Sequence, residues 1–303
     1  MNQRSAVRLV GVVGLGIMGS SIAANLQKGG FQVHGVEVHA STRRRMAPLL
    51  SSVSAQVGDL VTAGVQHIVT SLPSSAALMA VCQALVQARL QQTGRQRRLV
   101  LAEASTFSLK DKQAARELLA QAGIEMIDAP LSGTGAQART KDLTVYASGD
   151  AKAIQSMMPV FKGFSRAQFS VGEFGNGMKM KLVANLLVAI HNVSAAEAIL
   201  FGKKLGLAPQ KVVDVVADGA GGSRMFQVRG PMMATRTWQQ ATMKNEVWQK
   251  DMTLIHDALH ELSLPAPLFA ACIPIYHAAM SQGHQLHDTA AVYAVLEKFA
   301  GEA

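Results

Sequence analysis

Cysteine, aromatic and charged residues are all scarce in this chain of 303 residues. Its two cysteines, Cys82 and Cys272, lie far apart and show no metal-ligand spacing, so we expect neither a disulfide scaffold nor a metal site. Buried thiols of this kind are typical of a reducing compartment. Charged residues make up 16% and hydrophobic residues 49%, which excludes a disordered chain.

Long uninterrupted hydrophobic runs are also missing. The most apolar stretch, residues 182–201, contains Asn185, His191, Asn192 and Glu197. A membrane-spanning helix needs about 20 residues nearly free of such groups. The N-terminal apolar run is rich in glycine, which does not suit a signal peptide. We therefore predict no membrane segment and a cytoplasmic protein.

Positive charge is concentrated in the first half of the chain. Residues 1–172 hold 18 basic and 9 acidic residues, whereas residues 173–303 hold 11 of each. A basic half indicates either nucleic acid or an anionic small ligand such as a dinucleotide. No aromatic residues interleave with the arginine clusters at 43–45 and 95–98, so nothing predicts a platform on which bases could stack. We predict a small ligand and no nucleic acid.

Two patterns divide the chain near residue 171. Up to that point, short apolar runs rich in β-branched residues alternate with helical stretches; the runs are 7–13, 31–38, 67–72, 98–103, 125–129 and 143–148. This alternation predicts a doubly wound parallel sheet. Beyond it only helical stretches follow, at 180–204, 209–217, 245–261, 266–282 and 290–300. The prediction is an α/β domain over 1–171 and an all-α domain over 172–303.

A glycine-rich turn follows the first predicted strand and opens a helix. It has the pattern G-x-G-x-x-G, in the residues Gly14, Leu15, Gly16, Ile17, Met18 and Gly19. Glu37 lies 23 positions after Gly14, at the end of the second predicted strand. In this context the pattern predicts a Rossmann dinucleotide-binding domain, because helix N–H groups can bind the pyrophosphate.

Glu37 also bears on which cofactor is bound. Its carboxylate can accept hydrogen bonds from a ribose 2′-hydroxyl and would repel a 2′-phosphate, which favours NAD over NADP. The triplet of Arg43, Arg44 and Arg45 a few residues downstream could reach a phosphate, so NADP remains open.

Polar turns follow three other predicted strands. They are Ser71-Leu72-Pro73, Ser105-Thr106 and Ser132-Gly133-Thr134. Ligands of such sheets bind outside the carboxyl ends of the strands, so these turns are candidates for the site, although serine, threonine and glycine are also ordinary turn residues.

Lys181 and Asn185 are four residues apart on an apolar predicted helix. Burial lowers a lysine pKa towards neutral pH, which suits a general acid or base. A lysine near a helix start can equally extend to water, and the pattern alone leaves both open.

Taken together, the motifs resemble the β-hydroxyacid dehydrogenase family, which includes 3-hydroxyisobutyrate dehydrogenase-like proteins and shares the 6-phosphogluconate dehydrogenase architecture. The resemblance is carried by the glycine-rich turn and by Asp128-Ala129-Pro130-Leu131-Ser132-Gly133, Gly175-Asn176-Gly177 with Lys181 and Asn185, Lys250-Asp251 and Asp288-Thr289-Ala290-Ala291-Val292. It implies reversible hydride transfer between a nicotinamide cofactor and a short hydroxy acid or its semialdehyde, without a metal.

The resemblance also implies roles for individual residues. Lys181 would be the acid/base and Asn185 would orient the substrate. Ser132, Gly133 and Thr134 would bind its carboxylate, and Thr106 would lie near the nicotinamide or the substrate. The cofactor would contact the glycine-rich turn, Glu37, Ser71, Leu72, Pro73, Thr106 and Lys250. A homo-oligomer, dimer or tetramer, is expected.

Some residues depart from the family pattern. Thr134 replaces a glycine and Ala184 an asparagine, which leaves the substrate undetermined. An NADPH-dependent aldehyde or imine reductase and a non-catalytic dinucleotide sensor remain alternatives. His256 and His260 are spaced as in a zinc helix, but Asp257 is shorter than the glutamate such helices need and no third ligand is evident.

Overall fold

The computed structural model describes residues 9–93 and 97–302. The chain divides into two compact units, one ending at Lys181 and the other beginning at Leu182. The sequence predicts a boundary at 171/172, ten residues earlier. The division at 181/182 falls inside one long helix.

The first unit is built on a six-stranded parallel sheet. Its strands are β1 (Leu9–Val13), β2 (Gln32–Val36), β3 (Ser52–Ser54), β4 (His67–Thr70), β5 (Leu99–Glu103) and β6 (Ile124–Asp128). Their spatial order is β3-β2-β1-β4-β5-β6, so the order reverses between β1 and β4. This confirms the predicted Rossmann sheet, and the reversal is where such sheets bind dinucleotides.

Helices cover both faces of this sheet. They are α1 (Ile17–Lys28), α2 (Ala40–Met46), α3 (Gly58–Thr62), α4 (Ser75–Gln91), α5 (Leu109–Ala120), α6 (Gly135–Arg139) and α7 (Ala151–Phe164). Val10 and Val12 belong to one buried cluster and Val13 to another, because side chains alternate between the faces of a strand. Burial on both faces explains why these strands are continuous apolar runs.

A second, three-stranded sheet follows. It contains β7 (Leu131–Ser132), β8 (Thr144–Ala147) and β9 (Ala167–Ser170), with β8 antiparallel to β7 and parallel to β9. The sequence predicts the run 143–148 as another strand of the parallel sheet, which is wrong. Pro130 lies two residues after the end of β6, and the chain then turns back so that Asp128 pairs with Ser148 in an antiparallel bridge.

The second unit is helical, as predicted. Its helices are α8 (Asn176–Lys204, which begins in the first unit), α9 (Pro209–Val216), α10 (Arg224–Thr235), α11 (Asn245–Glu261), α12 (Pro267–Ser281) and α13 (Val292–Phe299). Residues 182–302 contain no strand. The sequence does not indicate α10, because Gly230 and Pro231 in its middle normally interrupt a helix.

Helix α8 is long and apolar enough to cross a membrane by length and composition alone, and 39% of its most apolar window is buried. Its polar Asn192 is fully buried in the second unit. There Nδ2 donates to the hydroxyl of Tyr276 at 3.0 Å and to the carbonyl of Thr289 at 2.9 Å. These bonds are those of a core helix, since they satisfy polar groups inside the protein.

Both cysteines are buried as free thiols. Burial raises the pKa of Cys82 to about 12 and that of Cys272 to about 11, with smaller contributions from Glu103 and Glu197 respectively. The nucleophilic thiolate is therefore scarce at neutral pH, and neither residue is poised for cysteine chemistry.

Candidate active site

The glycine-rich turn connects β1 to α1 at the point where the strand order reverses. Gly14 has φ +86°, and its N–H donates to the carbonyl of Val36 at 2.8 Å. A Cβ on Gly19 would lie 1.8 Å from the carbonyl oxygen of Gly14, so only glycine allows this close approach. A Cβ on Gly16 would meet nothing within 4 Å, which leaves its backbone open to a ligand.

The N-terminus of α1 has no side-chain cap, and Gly16 is its N-cap residue. The first N–H groups of an α-helix have no acceptor within the helix. Ile17 is 62% exposed, so this helix end faces outward rather than into the core. The turn therefore has the open backbone and the free donors that a pyrophosphate requires.

Glu37 follows β2 and is buried beside the turn. Its Oε2 accepts the N–H of Leu15 at 2.9 Å, and its Oε1 accepts the N–H of His39 at 3.0 Å. A carboxylate can accept about four hydrogen bonds, so capacity remains for ribose hydroxyls. Leu15 itself is fully buried, so its part in the turn is to pack in the core and donate its N–H to Glu37.

The side chain of Arg43, on α2, reaches back to the end of β2. Its Nη1 donates to the carbonyl of Glu37 at 2.9 Å and to that of Val38 at 2.7 Å. The guanidinium is thus fixed beside the turn that carries Glu37. A negative and a positive group lie at the end of the sheet where the adenosine ribose of a Rossmann cofactor binds.

Two of the predicted strand-end turns are joined directly. Leu72, after β4, donates its N–H to the hydroxyl of Ser105, after β5, at 2.9 Å. Ser71 donates its N–H to the carbonyl of Val13 at 2.9 Å, which links the same turn to β1. Ser71, Leu72 and Thr106 follow the ends of β4 and β5 and are half-buried, and their contact with a cofactor stays a prediction.

The residues of the third turn, which follows β7, differ in solvent exposure. Ser132 and Gly133 are half-buried, whereas Thr134 is only 6% exposed. The N–H of Thr134 donates to Oε1 of Gln137 at 3.0 Å, in a capping box at the start of α6. Thr134 therefore already has a partner within the protein, and its part in substrate binding stays a prediction.

Helix α8 starts against β6 and β8. The N–H of Met178 donates to Oδ2 of Asp128 at 2.7 Å, and the N–H of Gly177 donates to the hydroxyl of Ser148 at 2.9 Å. These two acceptors satisfy first-turn donors that the helix cannot satisfy itself. A Cβ on Gly177 would lie 2.4 Å from the carbonyl oxygen of Tyr146, which explains the glycine at this position.

Lys181 lies in the second turn of α8 and is 8% exposed, so it is a buried lysine rather than one that extends to water. Asn185, one turn later, is 3% exposed and its Nδ2 donates to Oδ2 of Asp251 at 2.9 Å. A carboxylate only accepts hydrogen bonds, so this contact fixes the orientation of the Asn185 amide and the direction of its oxygen.

Lys250 and Asp251 lie inside α11, five and six residues after its first residue. The Lys250 Nζ is 3.8 Å from Oδ1 of Asp251, and its side chain is 43% exposed. The sequence motif identifies the pair, but only the structure shows that Asp251 is the residue that orients Asn185.

The histidine pair His256 and His260 lies on the exposed side of α11. The rings of His256 and His260 stack at 6.5 Å, and His256 is 3.6 Å from the carboxylate of Asp257. Within 9–93 and 97–302, no group of three or more histidine, cysteine, aspartate or glutamate side chains could hold a metal ion.

Comparison with known proteins identifies this arrangement. Residues 9–174 match the family described as the NAD binding domain of 6-phosphogluconate dehydrogenase. Residues 175–296 match the one described as NAD-binding of NADP-dependent 3-hydroxyisobutyrate dehydrogenase. The chain belongs to the β-hydroxyacid dehydrogenase family.

Its relatives match over nearly their whole length. An L-threonate dehydrogenase of Cupriavidus necator is 30% identical, over 94% of this chain and 95% of the relative. The 2-hydroxy-3-oxopropionate reductase of Escherichia coli is 27% identical, over 96% and 98%. A crystal structure of 3-hydroxyisobutyrate dehydrogenase from Salmonella typhimurium superposes with a TM-score of 0.82 at 26% identity, covering 95% of this chain and 99% of that one.

These comparisons confirm the predicted family, fold class and general activity. The chain is an oxidoreductase that uses a nicotinamide dinucleotide, NAD or NADP. The turn at Gly14–Gly19, the uncapped start of α1 and the carboxylate of Glu37 fit such a cofactor, because they offer free donors and ribose acceptors at one end of the sheet.

Proposed function

We propose that the protein oxidises a short β-hydroxy acid with NAD, or reduces the corresponding semialdehyde, with Lys181 as general acid/base. The observation that carries the proposal is the buried Lys181 on a helix whose start is fixed to the carboxyl edge of the Rossmann sheet. Relatives named as L-threonate dehydrogenase and 2-hydroxy-3-oxopropionate reductase support a short, polyhydroxylated acid as the substrate class.

In this mechanism the bound nicotinamide supplies the hydride acceptor or donor. Ser132 and the backbone of Gly133 bind the substrate carboxylate at the turn after β7, and Thr106 lines the turn after β5. Asn185, held by Asp251, keeps its amide oriented towards the reacting hydroxyl. Lys181 accepts the hydroxyl proton during oxidation and returns one to the developing alkoxide during reduction.

The direct test is a panel of short hydroxy acids and semialdehydes with NAD and NADP in parallel, followed by the absorbance of the reduced cofactor. The panel contains threonate, glycerate, 3-hydroxyisobutyrate and 4-hydroxybutyrate, the semialdehydes of the last two, and imines as a separate set. Turnover of one member is expected. Tight cofactor binding without turnover of any member would favour a dinucleotide sensor, and turnover of imines alone would favour an imine reductase.

Preference for NAD is supported by the position of Glu37. Replacing Glu37 with glutamine removes the negative charge and keeps the side-chain shape. We expect Glu37→Gln to lower the ratio of kcat/KM with NAD to kcat/KM with NADP at least tenfold, about 1.4 kcal/mol. Arg43, fixed beside the same turn, would then bind the 2′-phosphate without competition.

Glu117→Gln is the matched control, because Glu117 is an exposed carboxylate on α5 that accepts a hydrogen bond from Gln113 at 3.1 Å. It should leave the ratio unchanged. A wild-type enzyme that prefers NADP, or a ratio that Glu37→Gln does not move, would contradict the assignment of NAD.

We propose a homo-oligomer that pairs through helices of the second unit. Val183, Leu187 and Phe201 on α8 are 58%, 46% and 65% exposed, and their spacing places them on one side of the helix. Burying such apolar surface is favourable by roughly 25 cal/mol per Å². Light scattering should give a dimer or tetramer that Leu187→Lys weakens; a monomer at micromolar concentration would contradict the proposal.

A further inference from the structure

A fully buried lysine, Lys112 on α5, lies between the carboxylates of Glu103 and Asp128. Its Nζ is 2.7 Å from Oε2 of Glu103 and 2.6 Å from Oδ1 of Asp128. Burial alone would lower the pKa of Lys112, but the two carboxylates outweigh it and raise that pKa, so the lysine stays charged. The contact with Asp128 is a charge-assisted hydrogen bond and the contact with Glu103 is an ion pair, and together they hold the ammonium group between the two strand ends.

The two carboxylates end neighbouring strands. Glu103 is the last residue of β5 and Asp128 the last of β6, and the two are partners in the parallel register. Without the cation, two buried negative charges would face each other at the carboxyl edge of the sheet. Lys112 places a positive charge between them and so offsets their mutual repulsion.

Through Glu103 the lysine acts on the turns after β4 and β5. Oε1 of Glu103 accepts the N–H of Ser105 at 2.8 Å, and the hydroxyl of Ser105 accepts the N–H of Leu72. Thr106 is the next residue in the same turn. One continuous series of bonds thus runs from Lys112 to both turns.

Through Asp128 the lysine acts on α8. One carboxylate oxygen of Asp128 binds Lys112 and the other accepts the N–H of Met178, so the two contacts fix the carboxylate from opposite sides. Lys181 follows Met178 by three residues, less than one helical turn. The position of Lys181 therefore depends on where Asp128 holds the first turn of α8.

We propose that Lys112 is a positioning residue for the reaction: it aligns the Thr106 turn and the Lys181 helix start with each other through Glu103 and Asp128. The proposal rests on the function proposed above for Lys181. A purely stabilising lysine would change how much protein folds, whereas a positioning lysine changes what each folded molecule does.

The experiment separates these two roles with three variants. Lys112→Met leaves two facing carboxylates and should fold poorly. Glu103→Gln/Lys112→Met removes one anion together with the cation. The net charge of the three-residue cluster is then the same as in wild type, but Asp128 has lost its lysine. Glu103→Gln alone keeps the pair of Lys112 and Asp128 and loosens only the turn after β5.

Two readouts are used, each well below the melting temperature of the variant. Hydrogen exchange of the backbone amides reports on the segments 104–107 and 175–182, and kcat is normalised to the number of cofactor-binding sites. The double variant should exchange at least tenfold faster in 175–182 and lose at least tenfold in kcat per site. Glu103→Gln should exchange faster in 104–107 and not in 175–182.

Asp150→Asn is the matched control. Asp150 also accepts a helix N–H, that of Ala153 at 2.8 Å, and pairs with Arg98, but its side chain is 39% exposed and these bonds lead to α7 and Arg98 rather than to Glu103 or Asp128. It should leave exchange in 175–182 and kcat per site unchanged. Wild-type exchange in 175–182 and wild-type kcat per site in the double variant would overturn the proposal.

Lys181→Ala distinguishes failure of the inference from failure of the proposed function. If Lys181→Ala is inactive while the double variant retains full kcat per site, the function stands and the positioning role is wrong. If Lys181→Ala retains full activity, the proposed function is wrong, and hydrogen exchange in 175–182 still decides whether Lys112 holds the start of α8.

Discussion

Replacing Lys181 with alanine is expected to lower kcat by roughly two to four orders of magnitude, the contribution usual for a general acid/base. Binding of NAD should stay within about a factor of two, because the proposed cofactor contacts lie on the turns after β1, β2, β4 and β5 and at Lys250, and do not include Lys181. The measurements are steady-state kinetics with the substrate that the panel identifies and calorimetric titration of NAD.

Lys179→Ala is the matched control for that result. Lys179 is on the same helix turn but exposed, and its Nζ donates to Asn176 at 3.1 Å. The control should keep wild-type kcat, KM and cofactor affinity. A Lys181→Ala protein that retains wild-type kcat would show that another group moves the proton.

Replacing Gly19 with alanine should damage the fold itself. The added Cβ would lie 1.8 Å from the carbonyl oxygen of Gly14, a backbone atom that cannot move without shifting the turn. Overpacking of this kind usually costs about 1–3 kcal/mol, and backbone contact places this case at the upper end or beyond. We expect a large drop in the free energy of unfolding and loss of measurable NAD binding.

Gly16→Ala is expected to separate binding from stability. Its Cβ would meet no protein atom within 4 Å, and the φ of Gly16 is −66°, which alanine adopts readily. The free energy of unfolding should change by less than about 1 kcal/mol, whereas the dissociation constant for NAD should rise at least tenfold. Equal NAD affinity in Gly16→Ala and wild type would contradict placement of the pyrophosphate at this turn.

Local sequence signals were sufficient for the Rossmann sheet and for most helices. Strands such as β1 and β5 are apolar runs because both faces are buried, and the bounds of α11 are as predicted. The two-residue β7 is too short to produce a periodic signal. Helix α10 continues through Gly230 and Pro231. The unfavourable effect of these two residues on helix formation is outweighed by packing in the second unit, where Phe226 and Met233 are buried.

The sequence predicts the parts of the site that depend on neighbouring residues, but not the contacts between residues far apart in the chain. Glycine spacing and strand-end polarity are local, so Gly14–Gly19 and Glu37 could be assigned from the chain alone. The partners of Asp128 and Asn185 lie 50 and 66 residues away. Nothing in the sequence distinguishes Lys112 from any other lysine in a helix. Acidic residues at the ends of two adjacent buried strands do predict a cation nearby, because a buried charge needs a partner.

Isotope transfer is the most direct test of hydride transfer between a short hydroxy acid and a nicotinamide cofactor. The substrate that the panel identifies is deuterated at the carbon bearing the hydroxyl and incubated with enzyme and NAD, and the reduced cofactor is analysed by mass spectrometry. Our mechanism predicts one deuterium at C4 of the nicotinamide and slower turnover than with the protiated substrate. Reduced cofactor without deuterium, or product formed without reduction of the cofactor, would contradict it.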